Sequence, residues 1–233
     1  FNADGRTRVR DAFPGNRIPA SLMDPAALKM LDYWASPSIT GNLRTGANNF
    51  LSTAGEKYDT NQVNARIDHT LGRSHQLFGR ISWDENQVLP PNVFGNIANP
   101  SSGPQLFTQR NAGVQDTWTV NPAAVATFRI GLSRLRDSAQ PYGLDFDIKQ
   151  LGFPQGYAAA QTVRIFPSIN VAGMTVSNLG FGSSGLGPVN STMFNNCQNA
   201  YTGQSDLTLV RGSHVIKFGA DARVYRVHGN RPD

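Results

Sequence analysis

The 233-residue sequence predicts an all-β fold of antiparallel up-and-down strands. Three observations predict it. Apolar and polar residues alternate with period two over several runs of about ten residues, so each run has two unlike faces. Some runs are separated by tight turn-forming clusters and others by long stretches rich in Gly, Pro and Asn. With 23 Gly, 14 Pro, 39% hydrophobic residues and a mean hydropathy of -0.35, the composition suits strands and irregular loops better than helices around a core.

Residues 1–60 read as a loop-like segment with one short helix. Asp4-Gly5, Pro14-Gly15 and Pro19 are turn formers. Asp24 suits an N-cap and Pro25 the first helical position, and Ala26 to Trp34 puts Leu28, Leu31 and Trp34 on one side. The helix is expected to stop before Pro37.

The remainder, 61–233, reads as about six strands in three hairpins. The first hairpin, Asn61 to Glu85, turns at Gly72-Arg73-Ser74-His75, where glycine supplies left-handed backbone. Val63, Ala65, Ile67 and Leu71 share a face, as do Leu77, Gly79, Ile81 and Trp83. Pro90, Pro91, Pro100 and Pro104 mark the next stretch as loop. The second hairpin pairs 110–120 with 124–135 around Asn121-Pro122-Ala123. Its apolar sides carry Ala112, Val114, Trp118 and Val120, then Ala126, Phe128, Ile130 and Leu132, with Asp116 as the one interruption. A long irregular loop is expected over 136–200, with a short strand at 162–166. The third hairpin, 201–210 with 214–227, turns at Arg211-Gly212-Ser213.

Several function classes find little footing. A net charge of +5 and a pI near 9.7 come from scattered basic residues with no Lys/Arg run, so no nucleic-acid partner is expected. The single Cys197 excludes an internal disulfide and a multi-cysteine metal site. His69, His75, His214 and His228 read as solvated or interfacial, and no metal-binding motif contains them. Residues 180–185 fit GxGxxG, but Leu-Gly-Pro-Val-Asn follows, which does not start the helix a dinucleotide needs. Asp145 and Asp147 offer too few oxygens for calcium. Neither an enzyme nor a cofactor is expected.

Tight turns at one end and long loops at the other are the pattern of an outer-membrane barrel, whose strands need only about ten residues each. No stretch approaches the roughly 20 apolar residues of a membrane helix. In a barrel the apolar faces would meet outer-membrane lipid, with Trp83 and Trp118 in the two interfacial girdles and Asp116 near the turn end. Arg66, Asp68, Arg80, Asp84, Arg129, Lys217, Asp221 and Arg223 would face the lumen, as a paired inner wall in preference to a substrate path. Tyr142, Phe153 and Tyr157 are the loop aromatics suited to stack on a substrate. Six strands fall short of the roughly eight of the smallest barrels. The chain, which starts at Phe1 without an initiator Met, is therefore expected to be a slice of a larger protein. The alternative is a soluble or surface-attached β-rich binding module of adhesin or lectin type.

Four segments carry a family resemblance: AFPGNRIPASLMDPAALKMLDYW, NQVNARIDHTLGRSHQLFGRISWDE, DTWTVNPAAVATFRIGLSRLR and LVRGSHVIKFGADARVYR. In this order they resemble landmarks of the Oar-like TonB-dependent transporters of Gram-negative outer membranes. FPGNRIP, RIDH with LFGR, and HVIKFGADAR are the most specific pieces. The resemblance implies a barrel of 22 strands with short periplasmic turns and long extracellular loops. It also implies a plug domain and remaining strands in the parent protein, coupling to the TonB complex, and uptake of a nutrient such as a siderophore or oligosaccharide. It brings no catalytic residues.

Overall fold

The computed structural model describes residues 13–100, 102–170, 185–188 and 193–231. Six long strands form its body: β1 (Lys57–Leu71), β2 (His75–Leu89), β3 (Gln105–Asn121), β4 (Ala124–Ala139), β7 (Phe194–Arg211) and β8 (His214–Asn230). Two-residue strands β5 (Ile169–Asn170) and β6 (Gly185–Leu186) pair with each other in the loop before β7. The large sheet has the order β1-β2-β3-β4-β7-β8, so every strand lies antiparallel beside its neighbour in the chain. Its free edges are β1 and β8.

The strands run further toward the loop end than the alternation of residues indicated. β1 starts at Lys57 instead of Asn61, β4 continues to Ala139 instead of 135, and β7 starts at Phe194 instead of Tyr201. The extra residues, such as Asn195, Asn196 and Gln198, are polar on both faces. Backbone pairing needs no amphipathicity, so the ladder continues where the two-face pattern ends.

Local chemistry sets the turns. Gly72 (φ 64°) opens the β1–β2 turn and Gly212 (φ 62°) is the first residue of a two-residue turn between Arg211 and His214, the position glycine holds in a type II′ hairpin. Between β3 and β4 the Asn121 side chain accepts from the Ala123 N–H at 2.8 Å, an Asx turn that replaces glycine, and the register shifts there between Thr119 and Asn121.

The short helix α1 is Pro25–Leu31, capped by Asp24, which accepts from the N–H groups of Ala26 (2.7 Å) and Ala27 (3.2 Å). It ends before the expected Trp34. Tyr33 and Trp34 donate back to Met30 and Leu31, a tightened last turn, and Leu28 and Leu31 stay exposed. Trp34 turns instead toward Phe94, with ring centroids 5.9 Å apart.

A closed hydrophobic core lies among the loops. Ala98, Phe146, Ile148, Leu151, Phe166 and Leu186 are buried together. Tyr33 packs on Phe166 (4.9 Å) and edge-on against Phe146 (6.0 Å). The long loop is thus not irregular throughout: it holds a 3-10 turn at Ile148–Leu151, helix α2 (Gln155–Ala159) and the β5–β6 pair. The strand expected over 162–166 is absent. Only a single bridge, Leu144 to Ile165, forms there, because Pro167 lacks the N–H to extend it and Phe166 is drawn wholly into the core. The proline-rich stretch after β2 is ordered by asparagines. Buried Asn99 donates to the Pro91 carbonyl at 3.3 Å, and Asn96 donates to the Tyr33 carbonyl at 2.9 Å, joining two loops.

Candidate functional site: a two-faced wall

Directly paired residues of neighbouring strands point to the same face. The register therefore sorts every side chain of the sheet. Asp68, Phe78, Gln115, Arg129, Gln204 and Asp221 form one row across six strands, and Arg66, Arg80, Gly113, Gly131, Thr202 and Arg223 form the next. Asp84 and Lys217 have the same strand parity as these. All eight charged residues singled out in the sequence consequently share one face.

They are held in different ways. Arg66 pairs with Asp68 at 2.7 Å and Arg223 with Asp221 at 2.8 Å, each two residues along its own strand. Arg129 donates to the Gln115 carbonyl oxygen at 2.8 and 2.5 Å and to that of Gln204 at 3.3 Å. Lys217 lies 3.9 Å from Asp206. Arg80, directly opposite Arg66, has no ion pair or hydrogen bond among the described residues, and the same holds for Asp84.

Gly113 and Gly131 face each other across β3 and β4 and leave a depression in this face. Its volume is about 390 Å³, and Arg66, Phe78, Arg80 and Arg129 are among its walls. The Arg66 guanidinium sits 4.4 Å over the Phe78 ring. A side chain at position 131 would meet the Thr202 hydroxyl at 2.6 Å, so glycine keeps the floor low. Arg66 is compensated by a carboxylate and Arg129 by amides. Arg80 leaves the hollow cationic, suited to the planar, two-oxygen geometry of a carboxylate.

The opposite face is apolar and open. Its rows include Ile67, Gly79, Val114, Ile130, Gly203 and Ala222, then Ala65, Ile81, Ala112, Leu132, Tyr201 and Val224. Ile67 is 74% and Ile130 72% exposed, values that in water would mark an unsatisfied patch. Trp118 lies near the turn end, in the row of His75 and Ala126, and Trp83 eight residues further along its strand than Trp118's partner His75.

The interruption at Asp116 is resolved by a contact that sequence reading missed. His75 Nδ1 lies 2.8 Å from Asp116 Oδ2, and the His75 ring stacks on Trp118 at 5.5 Å with planes 7° apart. His75 is the first residue of β2 and directly opposite Trp118. The available signal was an acid two residues from a tryptophan beside a turn histidine, but the pairing needs the register.

The loop aromatics are not brought together as a trio. Phe153 and Tyr157 stack, with centroids 5.3 Å apart and planes at 27°, and Tyr157 remains 57% exposed. Tyr142 is engaged elsewhere: its hydroxyl donates to the Pro90 carbonyl at 2.5 Å, and burial pushes its pKa up. Asp147 caps the 3-10 turn by accepting from the Lys149 N–H at 3.0 Å. That bond holds its carboxyl below the ordinary range, with Lys149 and Arg164 adding to the effect. The GxGxxG match at 180–185 lies outside the described residues except for Gly185, which is in β6.

A meander with one largely apolar exposed face, one charged face and tight turns along a single end is the wall of a transmembrane β-barrel. No helix among the described residues is long and apolar enough to cross a membrane. The chain belongs to the outer membrane beta barrel domain family, whose model matches residues 2–233. No curated protein and no solved structure matches it. The chain is accordingly a β-barrel part of an outer-membrane protein. Its apolar face is the surface that meets membrane lipid.

Proposed function

We propose that this wall belongs to an Oar-like TonB-dependent transporter of 22 strands, and that it serves transport without catalysing a reaction. In this reading the six strands are one sector of the barrel, and β1 and β8 are continued by the remaining strands. Arg66, Asp68, Arg80, Asp84, Arg129, Lys217, Asp221 and Arg223 line the lumen beside a plug domain. The loops face outward, and Phe153 with Tyr157 stacks on a ring of the incoming nutrient, a siderophore or oligosaccharide. Energy for uptake comes from the TonB complex. The observation that carries the reading is the loop end itself. Its aromatic core builds an ordered cap that a plain structural barrel would not require, and order of that kind in long loops is a mark of function.

The test is uptake by the intact parent protein in cells with and without TonB. Uptake is expected to need TonB and to fall when Phe153 and Tyr157 are both replaced by Ala. Loss of one stacking contact weakens binding by roughly 0.5–1.5 kcal/mol, about twofold to twelvefold. Uptake that continues without TonB refutes the transporter reading, and unchanged uptake in the double variant refutes the stacking role.

A further inference from the structure

We infer that the loop-end edge of the lipid-facing surface is a binding girdle for phosphate-bearing headgroups of the outer leaflet. On β8 the outward positions Ile216, Phe218, Ala220, Ala222 and Val224 are all apolar, and the next is Arg226. On β4 the outward run Ala124, Ala126, Phe128, Ile130 and Leu132 is followed by Arg134. On β3 the change comes at Arg110, which is the direct partner of Arg134. Asn199 connects Arg134 to Arg226, so the three arginines stand in one row. Arg136 and His228 lie one row further out.

The height fits an interface. Ten residues separate Ile216 from Arg226. At about 3.3 Å per residue that is roughly 33 Å along the strand, or about 25 Å along the membrane normal for a strand tilted near 40°. The apolar band of such barrels is about 25 Å tall, so the arginine row falls where hydrocarbon gives way to headgroups. Trp83 opposite Arg110, and Tyr201 with the Arg226 guanidinium 5.7 Å from its ring, mark the same level.

The row is also short of counter-ions. Arg110 and Arg134 are like charges in direct cross-strand contact, an arrangement that destabilises a sheet. Neither has an ion pair or hydrogen bond among the described residues. Arg136 bonds only the neutral Asn195 side chain, at 3.2 Å. The acids on this face toward the loops are Glu85, the diagonal neighbour of Arg110 that forms no ion pair with it and lies two strands from Arg134, and Asp59, already paired with Lys57 at 2.8 Å. Arg110 and Arg134 stand on neighbouring strands about 5 Å apart and Arg226 stands two strands further on, about 10 Å, so the first two can share one phosphomonoester and the third can meet a second phosphate. The occupant is therefore a phosphorylated glycolipid of the outer leaflet, its acyl chains on the apolar rows and its phosphates on the arginines.

This inference rests on the chain's place in an outer membrane, and the test separates the two. The full-length parent protein, folded in neutral detergent, is titrated with diphosphoryl lipid A and with its phosphate-free form, bound lipid being read by native mass spectrometry. The diphosphoryl form is expected to bind tighter, and more weakly as salt rises. R110Q/R134Q/R226Q is expected to lose about a hundredfold in affinity for that form, roughly fivefold per charge, and none for the phosphate-free form. R73Q, at the turn end, is expected to bind as wild type. Equal binding of both lipids by the unmodified protein overturns the headgroup assignment, and that comparison needs no variant to fold. A triple variant that folds and binds like wild type overturns it as well. Failure to retain either lipid overturns the membrane placement beneath it.

Discussion

Ile130→Arg tests the two-faced wall most directly. Ile130 sits on β4 in the apolar row with Val114 and Gly203, and is 72% exposed from the sheet. It lies four residues below Arg134, so at about 3.3 Å per residue and a tilt near 40° its depth is roughly 10 Å inside the arginine level. A lipid-face arginine costs about 2–4 kcal/mol at the bilayer midplane and about 0–1 near the interfaces. The cost at Ile130 is expected near 2–3 kcal/mol, a 30- to 150-fold drop in the folding equilibrium. The paired substitution is Ser133→Arg, on the same strand and the other face, where no lipid is met and the expected change is within about 0.5 kcal/mol. The assay is guanidinium unfolding of the intact protein in lipid vesicles, followed by tryptophan fluorescence. Equal costs at the two positions, or the larger one at Ser133, would refute the assignment of the faces.

Three further outcomes are expected. His75→Ala strands Asp116 at the lipid-facing rim and should lower stability by about 1–3 kcal/mol; adding Asp116→Ala should recover part of it, and purely additive losses in the same unfolding assay would exclude the coupling. Phe166→Ala, at a fully buried ring, should loosen the loop cap by about 3–5 kcal/mol while the strands stay paired; limited proteolysis would show new cuts in the loops that meet at this core, around Tyr33, Ala98 and Phe146, with the strands uncut, and an unchanged digest would contradict the core. The Asp147 carboxyl titrates below its ordinary 3.8, so its cap is complete above that pH and is lost as pH falls through the lowered value; a carboxyl chemical-shift titration giving a midpoint above 3.8 would exclude it.

The sequence by itself determined the amphipathic middles of the six long strands, the turns that join them in hairpins and which residues of each strand share a face. Alternation with period two is a local property, written in neighbours such as Arg66, Ile67 and Asp68, and glycine at 72 and 212 or Asn121 before a proline dictates a turn within a few residues. Even the helix start at Asp24 was legible, because a cap acts over three residues. Tertiary structure alone decided what lies beside what. The pairing of His75 with Asp116 spans 41 positions, and the row of Arg110, Arg134 and Arg226 exists only once three registers are set. The loop core was equally hidden, because Tyr33, Ala98, Phe146, Phe166 and Leu186 come from segments with no periodicity. Burial there is collective: no residue's neighbours in the chain indicate it, and only the closed loops bring those side chains into contact.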